Sequence, residues 1–164
     1  MNALSEDFDR LEVGSRFRTR GRTITEADVV AFASLSGDGH PVHTDAEWAA
    51  ASEFGERIAH GALILSYGIG LVPFDPEWVL ALRGFERVVF KRPVKIGDTI
   101  RVEGELEAKR PLDDASGLAE FGWRIVNQRA QAVALARARV VWRRGAEPGF
   151  AEVQASAQLR EVFL

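Results

Sequence analysis

The chain has no cysteine, one methionine, one tyrosine and three histidines among 164 residues. The missing cysteine excludes disulfides, thiolate catalysis and every cysteine-based metal site. It fits a reducing compartment, and a cytoplasmic protein is the expectation. No strong charge of either sign is present: 21 basic against 24 acidic residues leave a net charge of −3. Such a balance draws the chain neither to nucleic acid nor to an anionic membrane surface. Long apolar runs are missing as well. The longest, "GALILSYGIGLV" (Gly61–Val72), is about half of the ~20 residues a membrane span requires, so it reads as a buried helix. The acidic start, "MNALSEDFDRLEVGSRF", has no apolar stretch of signal-peptide length. There is no internal repeat and no low-complexity block, so the expectation is one domain over 1–164, with a weakly patterned tail from about residue 145.

The first half of the chain carries helical signals. Ser15 to Ile24 reads as a first strand. Thr25 is a good N-cap for "TEADVVAFASLSG", with Asp28 at N3 to reach back and Gly37 to stop the helix. Thr44 and Glu47 have the spacing of a second capping box, so a short helix is expected after Thr44. Helix Gly61–Val72 is apolar on nearly every face and must be surrounded by protein; Pro73 and Pro76 mark its end.

The second half changes period. In "IRVEGELEAK", Ile100, Val102, Gly104, Leu106 and Ala108 share one face, and Arg101, Glu103, Glu105, Glu107 and Lys109 the other. That is a strand with one wet face. "GFERVVFKRPV", "LAEFGWRIVNQ" and "AVALARARVVWRR" read as three more strands, the arginines of the last forming a solvated face. "KIGDT" is a tight turn and "PLDDASG" a hairpin loop. One apolar helix and one antiparallel sheet give an α+β arrangement, a curved sheet wrapped round a central helix. It leaves a sheet edge open for pairing with a second copy.

Chemistry concentrates in "LSGDGHPVHTDAEWAAASEFGERIAHGALILSYG", which holds His40, His43 and His60. Gly37 and Gly39 flank Asp38 and permit tight backbone geometry, and Pro41 stiffens the path from Asp38 to His43. A carboxylate and an imidazole held close by a rigid loop can grip one water and move its protons. Addition or removal of water across a double bond needs a third part, a donor to the enolate oxygen. Gly61 opens the apolar helix, so its backbone N–H is an orphan donor at the positive helix end, and the missing Cβ lets an oxygen approach. A zinc site is the competing reading of the histidines with Asp38 and Asp45, but "HPVHTD" has neither the H-E-x-x-H nor the H-x-H-x-D-H spacing, so no metal is expected. His60 alone reads as packing at the helix start, and Ser66, inside an apolar helix, as bonding back to a carbonyl.

"SGDGHPVH" followed by "IAHGALILS" resembles the MaoC-like (R)-specific enoyl-CoA hydratases of the hotdog fold, whose motif reads S-G-D-x-N-P-[LIV]-H with a downstream H-G-[ML]. The resemblance extends through "FKRPVKIGDTIRVEGEL" and, in strand order, to about Arg144. It implies that Asp38 and His43 are a catalytic dyad binding one water, that the Gly61 N–H meets the thioester carbonyl, and that Ser66 is a polar neighbour. It implies an acyl-CoA thioester substrate, no metal or organic cofactor beyond that coenzyme A, and a homodimer or dimer of dimers with the substrate tunnel beside the interface. His40 stands where the family has asparagine, a loop-ordering position, and Ala62 where a bulkier residue is common. The implied reaction is reversible hydration of a trans-2-enoyl thioester. The alternatives are an acyl-CoA thioesterase and a non-catalytic acyl-binding partner subunit.

Overall fold

The computed structural model describes residues 4–145. The tail expected from about residue 145 lies outside them, except Gly145 itself. Among the described residues, six strands and four α-helices follow a short 3-10 turn at Phe8–Arg10. They are β1 (Arg16–Arg18), β2 (Arg22–Thr23), α1 (Glu26–Ser36), α2 (Pro41–Thr44), α3 (Ala46–Ala51), α4 (Gly61–Leu71), β3 (Val79–Phe90), β4 (Thr99–Pro111), β5 (Ser116–Val126) and β6 (Ala132–Arg143). The sheet is antiparallel in the order β1-β4-β5-β6-β3, with β2 also paired to β4.

The expected first strand is broken in two. Thr19 leaves the ladder, and its hydroxyl accepts the Val102 N–H at 3.0 Å while its own N–H reaches the Val102 carbonyl. Alternation along β4 holds from Ile100 to Leu106, all buried at even positions. It fails at Ala108, which is exposed, because a register shift between Leu106 and Ala108 turns the strand over. Lys109 now points inward, and its Nζ donates to the Phe8 and Asp9 carbonyls at 3.0 and 2.9 Å. β3 begins five residues before "GFERVVFKRPV", at Val79, and ends at Phe90. Lys91–Val94 lie outside the strand, Pro93 among them with no N–H to offer.

The inner sheet face presents Ile100, Val102, Phe121, Trp123, Ile125 and Val140, all buried, to α4. α4 buries Leu63, Ile64, Gly68 and Leu71 there, while Ala62, Ser66 and Gly70 stay exposed. Among the described residues the helix is therefore covered on one side and open on the other. The outer sheet face carries the arginines as ion pairs, Arg124–Glu103 at 2.9 Å and Arg137–Glu107 at 2.8 Å among them.

The capping box of α1 forms as its spacing predicts. The Thr25 hydroxyl accepts the Asp28 N–H, and the Asp28 carboxylate accepts the Thr25 N–H at 2.8 Å. Gly37 closes the helix with a φ of 76°, in the left-handed region. The same Asp28 carboxylate takes the Tyr67 hydroxyl of α4 at 2.5 Å and the Arg22 guanidinium of β2 at 3.0 Å. Burial alone would raise the Asp28 pKa; the hydrogen bonds from Tyr67, Thr25 and Arg22 outweigh it and hold it at about 2, below the ordinary 3.8. A depressed carboxylate stabilises the fold above its unfolded pKa, and that share is lost as pH falls through the folded value. Asp28→Ala should therefore melt lower than the native chain at neutral pH, by about 1–2 kcal/mol. The gap should close between about pH 4 and pH 2. Thermal melts across that range check it, and a gap constant down to pH 2 contradicts it.

Candidate active site

The expected second capping box does not form. Asp45, one residue on, is the N-cap of α3, its carboxylate accepting the Trp48 N–H at 3.0 Å. Thr44 is already used as the last residue of α2, where its hydroxyl donates to the Gly39 and His40 carbonyls. His43 thus sits in the last turn of α2, ahead of α3 rather than at the mouth of a longer helix.

The loop ahead of α2 is ordered by its own residues. The Asp38 carboxylate accepts the His40 N–H at 3.3 Å, and the His40 Nδ1 accepts the Val42 N–H at 3.2 Å. His40 is the N-cap of α2, with Pro41 at the first helical position. The imidazole thus caps the turn through a side-chain acceptor, as an asparagine oxygen can. Its ring also stands edge-on to Trp48, centroids 5.5 Å apart.

His43 is half-buried. Its Nδ1 lies 2.7 Å from the Ile58 carbonyl oxygen, an atom that can only accept, so Nδ1 carries the proton and a neutral ring leaves Nε2 as a lone pair. Burial pushes the His43 pKa down; the Ile58 carbonyl and Asp38 pull it up, and His60 and His40 push it down again, for a net fall below 6.5. His43 is therefore a neutral base near pH 7. Asp38 is exposed, and its loop carbonyl accepts the Nε2–H of His60 at 3.0 Å.

His60 is the N-cap of α4, and its side chain makes no capping bond to that helix. The first N–H groups of α4, Gly61's among them, therefore have no intrahelical acceptor and face outward from the positive end. A cavity of about 370 Å³ opens there, lined by His43, Phe54, Gly61, Ile64 and Phe90, with Lys91 and Arg92 along it. Phe90 lies over Gly61: a Cβ on Gly61 would stand 2.8 Å from its ring. A larger depression of about 920 Å³ on the outer sheet face includes none of the histidines and lies among the charged rows of β1, β4 and β5.

Of the residues singled out from sequence, the fold brings Asp38, His43, His60 and Gly61 together. One carboxylate oxygen of Asp38 and one ring nitrogen each of His43 and His60 lie within 4.8 Å of one another. The His43 and His60 rings are stacked, centroids 3.7 Å apart and planes at 27°. Cofacial rings do not aim their in-plane lone pairs at one point, as ligation of a metal requires. Ser66 stays apart, one turn along α4, exposed and donating back to the Ala62 carbonyl at 2.9 Å. Sequence reasoning missed Phe90, Lys91 and Arg92 as cavity residues. No local pattern marks them, because only the fold brings the end of β3 to the start of α4.

A helix lying on one curved antiparallel sheet is the hotdog arrangement, and a mycobacterial double-hotdog structure, Rv0216, shares the fold at TM-score 0.76 and 21% identity, over 96% of this chain and 53% of its own. The MaoC like domain profile matches residues 10–120, more than half of the chain, and the chain belongs to that family. Protein MaoC of Klebsiella aerogenes is 46% identical over 96 residues, 58% of this chain and 29% of its own length. An (R)-specific enoyl-CoA hydratase of Aeromonas caviae is 37% identical over 100 residues, 61% of this chain and 74% of its own. The solved monoamine oxidase regulatory protein of Archaeoglobus fulgius superposes at TM-score 0.81 and 35% identity, over 86% of this chain and 96% of its own. The chain spans less than two thirds of the first curated relatives it matches, 29% and 62% of their lengths.

Proposed function

We propose that the chain catalyses reversible hydration of a trans-2-enoyl thioester to the (R)-3-hydroxyacyl thioester, with coenzyme A carried by the substrate and no other cofactor. The observation that carries this reading is a His43 ring whose Nδ1 is held by the Ile58 carbonyl, with one ring nitrogen within 4.8 Å of an Asp38 carboxylate oxygen, beside the start of α4. The names of two relatives, an (R)-specific enoyl-CoA hydratase and a 3-hydroxybutyryl-CoA dehydratase, support the substrate class.

In this reading a water sits between Asp38 and His43. His43, neutral near pH 7, accepts one of its protons as its oxygen attacks Cβ, while the Asp38 carboxylate accepts a hydrogen bond from the other, which stays on the new C3 hydroxyl. One proton is returned to Cα, so the elements of one water are added across the double bond. Charge builds on the thioester oxygen during attack, and the Gly61 N–H at the positive end of α4 meets it. His40 and Pro41 hold the loop that sets the two side chains. Ser66 has no part at the reacting atoms.

The chain works, on this reading, as a homodimer or a dimer of such dimers. β3 pairs with β6 on one edge, and no strand covers its other edge among the described residues. Leu80, Val89 and Phe90 stand 40%, 44% and 52% exposed on that strand. Phe90 also lines the cavity with His43 and Gly61, so a second copy on the β3 edge would close it.

Two measurements check these statements. Loss of enoyl absorbance across a panel of enoyl-CoAs should proceed with the native chain and fall by about 10²–10⁴-fold in Asp38→Asn and in His43→Ala, with both variants still folded. Full turnover in either variant overturns the dyad. Light scattering should give a mass of at least twice 18.1 kDa, and a monomer at assay concentration contradicts the assembly.

A further inference from the structure

His60 is 2% exposed, and each part of its ring meets something specific or nothing at all. Its Nε2 lies 3.0 Å from the Asp38 carbonyl oxygen, so Nε2 carries the proton. Its Nδ1 is buried without a partner among the described residues. One face stacks on His43 at 3.7 Å, and Phe32 packs against it at 5.0 Å. An imidazole nitrogen buried without a partner destabilises the fold. An apolar ring would fill the same space without that cost, so packing alone does not account for a histidine here.

We propose that His60 is a positioning residue that ties the three working parts of the site to one another. Its Nε2–H holds the backbone of Asp38, 22 residues away in sequence, and its ring face fixes the plane of His43. Its own carbonyl accepts the Ile64 N–H in the first turn of α4, and its C-terminal neighbour is Gly61. One residue thereby sets the separation between the water-binding pair and the helix-start N–H. The inference rests on the hydration reading for what these parts do, but the clamp itself is read independently of turnover.

The groups that face His43 are Asp38 and His40 from the loop, His60 from the start of α4, and Lys91 and Arg92 along the cavity. Replacing His60 changes one of these and leaves the others in place. Two variants separate its two contacts. His60→Gln places an amide N–H near the position of Nε2 and removes the ring. His60→Phe keeps a flat ring on His43 and removes the donor.

Both variants should be assayed for turnover of crotonyl-CoA against pH, with thermal melting alongside. His60→Phe should melt close to the native chain, keep KM within a few-fold and lose kcat by roughly 10- to 100-fold, the usual effect of removing a group that orients a working one. His60→Gln should keep more kcat than His60→Phe, with the acid limb of its pH profile moved up toward the ordinary histidine range as the stacked ring is lost. A purely packing His60 gives the opposite ranking, with the apolar ring tolerated and the amide damaging. That ranking, or native kcat in His60→Phe, overturns the proposal. Nitrogen NMR of the native chain tests the clamp without variants or turnover: His60 should be the Nε2–H tautomer and His43 the Nδ1–H tautomer at neutral pH. A His60 found as the Nδ1–H tautomer overturns the clamp. A native chain that hydrates no enoyl thioester while showing these two tautomers contradicts the function and leaves the clamp standing.

Discussion

The site depends on the seating of α4 against the sheet, and that seating depends on Gly68. A Cβ on Gly68 would stand 2.9 Å from the Ile125 side chain of β5, with Val102 of β4 behind it. Ile125 and Val102 are fully buried, so a Cβ here would press the end of the Ile125 side chain into a filled core. The missing side chain lets the helix lie close on the inner face, and the start of the helix is carried with it. That start is His60 and Gly61. A helix held away by a methyl group would move the stacked ring and the uncapped N–H from the loop that bears Asp38 and His43.

A second tie fixes the segment before the helix. The Ala59 N–H donates to the Val94 carbonyl at 2.7 Å, Ile58 bridges to Lys95, and the Ile58 N–H donates to the Val42 carbonyl at 3.2 Å. The Ile58 carbonyl that sets the His43 tautomer is thus held on both sides by backbone. The tautomer is a consequence of the main-chain path, and the base is preorganised in the folded chain. Stability and chemistry meet in one stretch, since the bonds that dock 58–60 also define which nitrogen of His43 is free.

Much of this was legible in the residue order. Apolarity on every face marked α4, alternation marked β4, and Thr25 with Asp28 marked the start of α1. The Asp38–Gly39–His40–Pro41 run marked a rigid loop between a carboxylate and an imidazole. What the order concealed was tertiary or competitive. Ala108 leaves its face because a bulge interrupts a period that looks unbroken in sequence. Thr44 loses the cap of α3 to Asp45 because the preceding turn of α2 already uses it. His60 reads locally as packing, and its stack on His43 forms where two segments 17 residues apart are joined by the Ile58 N–H to the Val42 carbonyl and by the His43 Nδ1–H to the Ile58 carbonyl. His40 caps α2 through Nδ1, a contact that its place in the run does not announce.

The central claim is that water adds to Cβ of an acyl thioester at the Asp38/His43 pair. Turnover of an enoyl-CoA in ¹⁸O-labelled water reports where the oxygen goes. The account predicts one label on the C3 hydroxyl of an intact (R)-3-hydroxyacyl thioester. Label in a free carboxylate, with release of coenzyme A thiol, would contradict it and make the chain a thioester hydrolase.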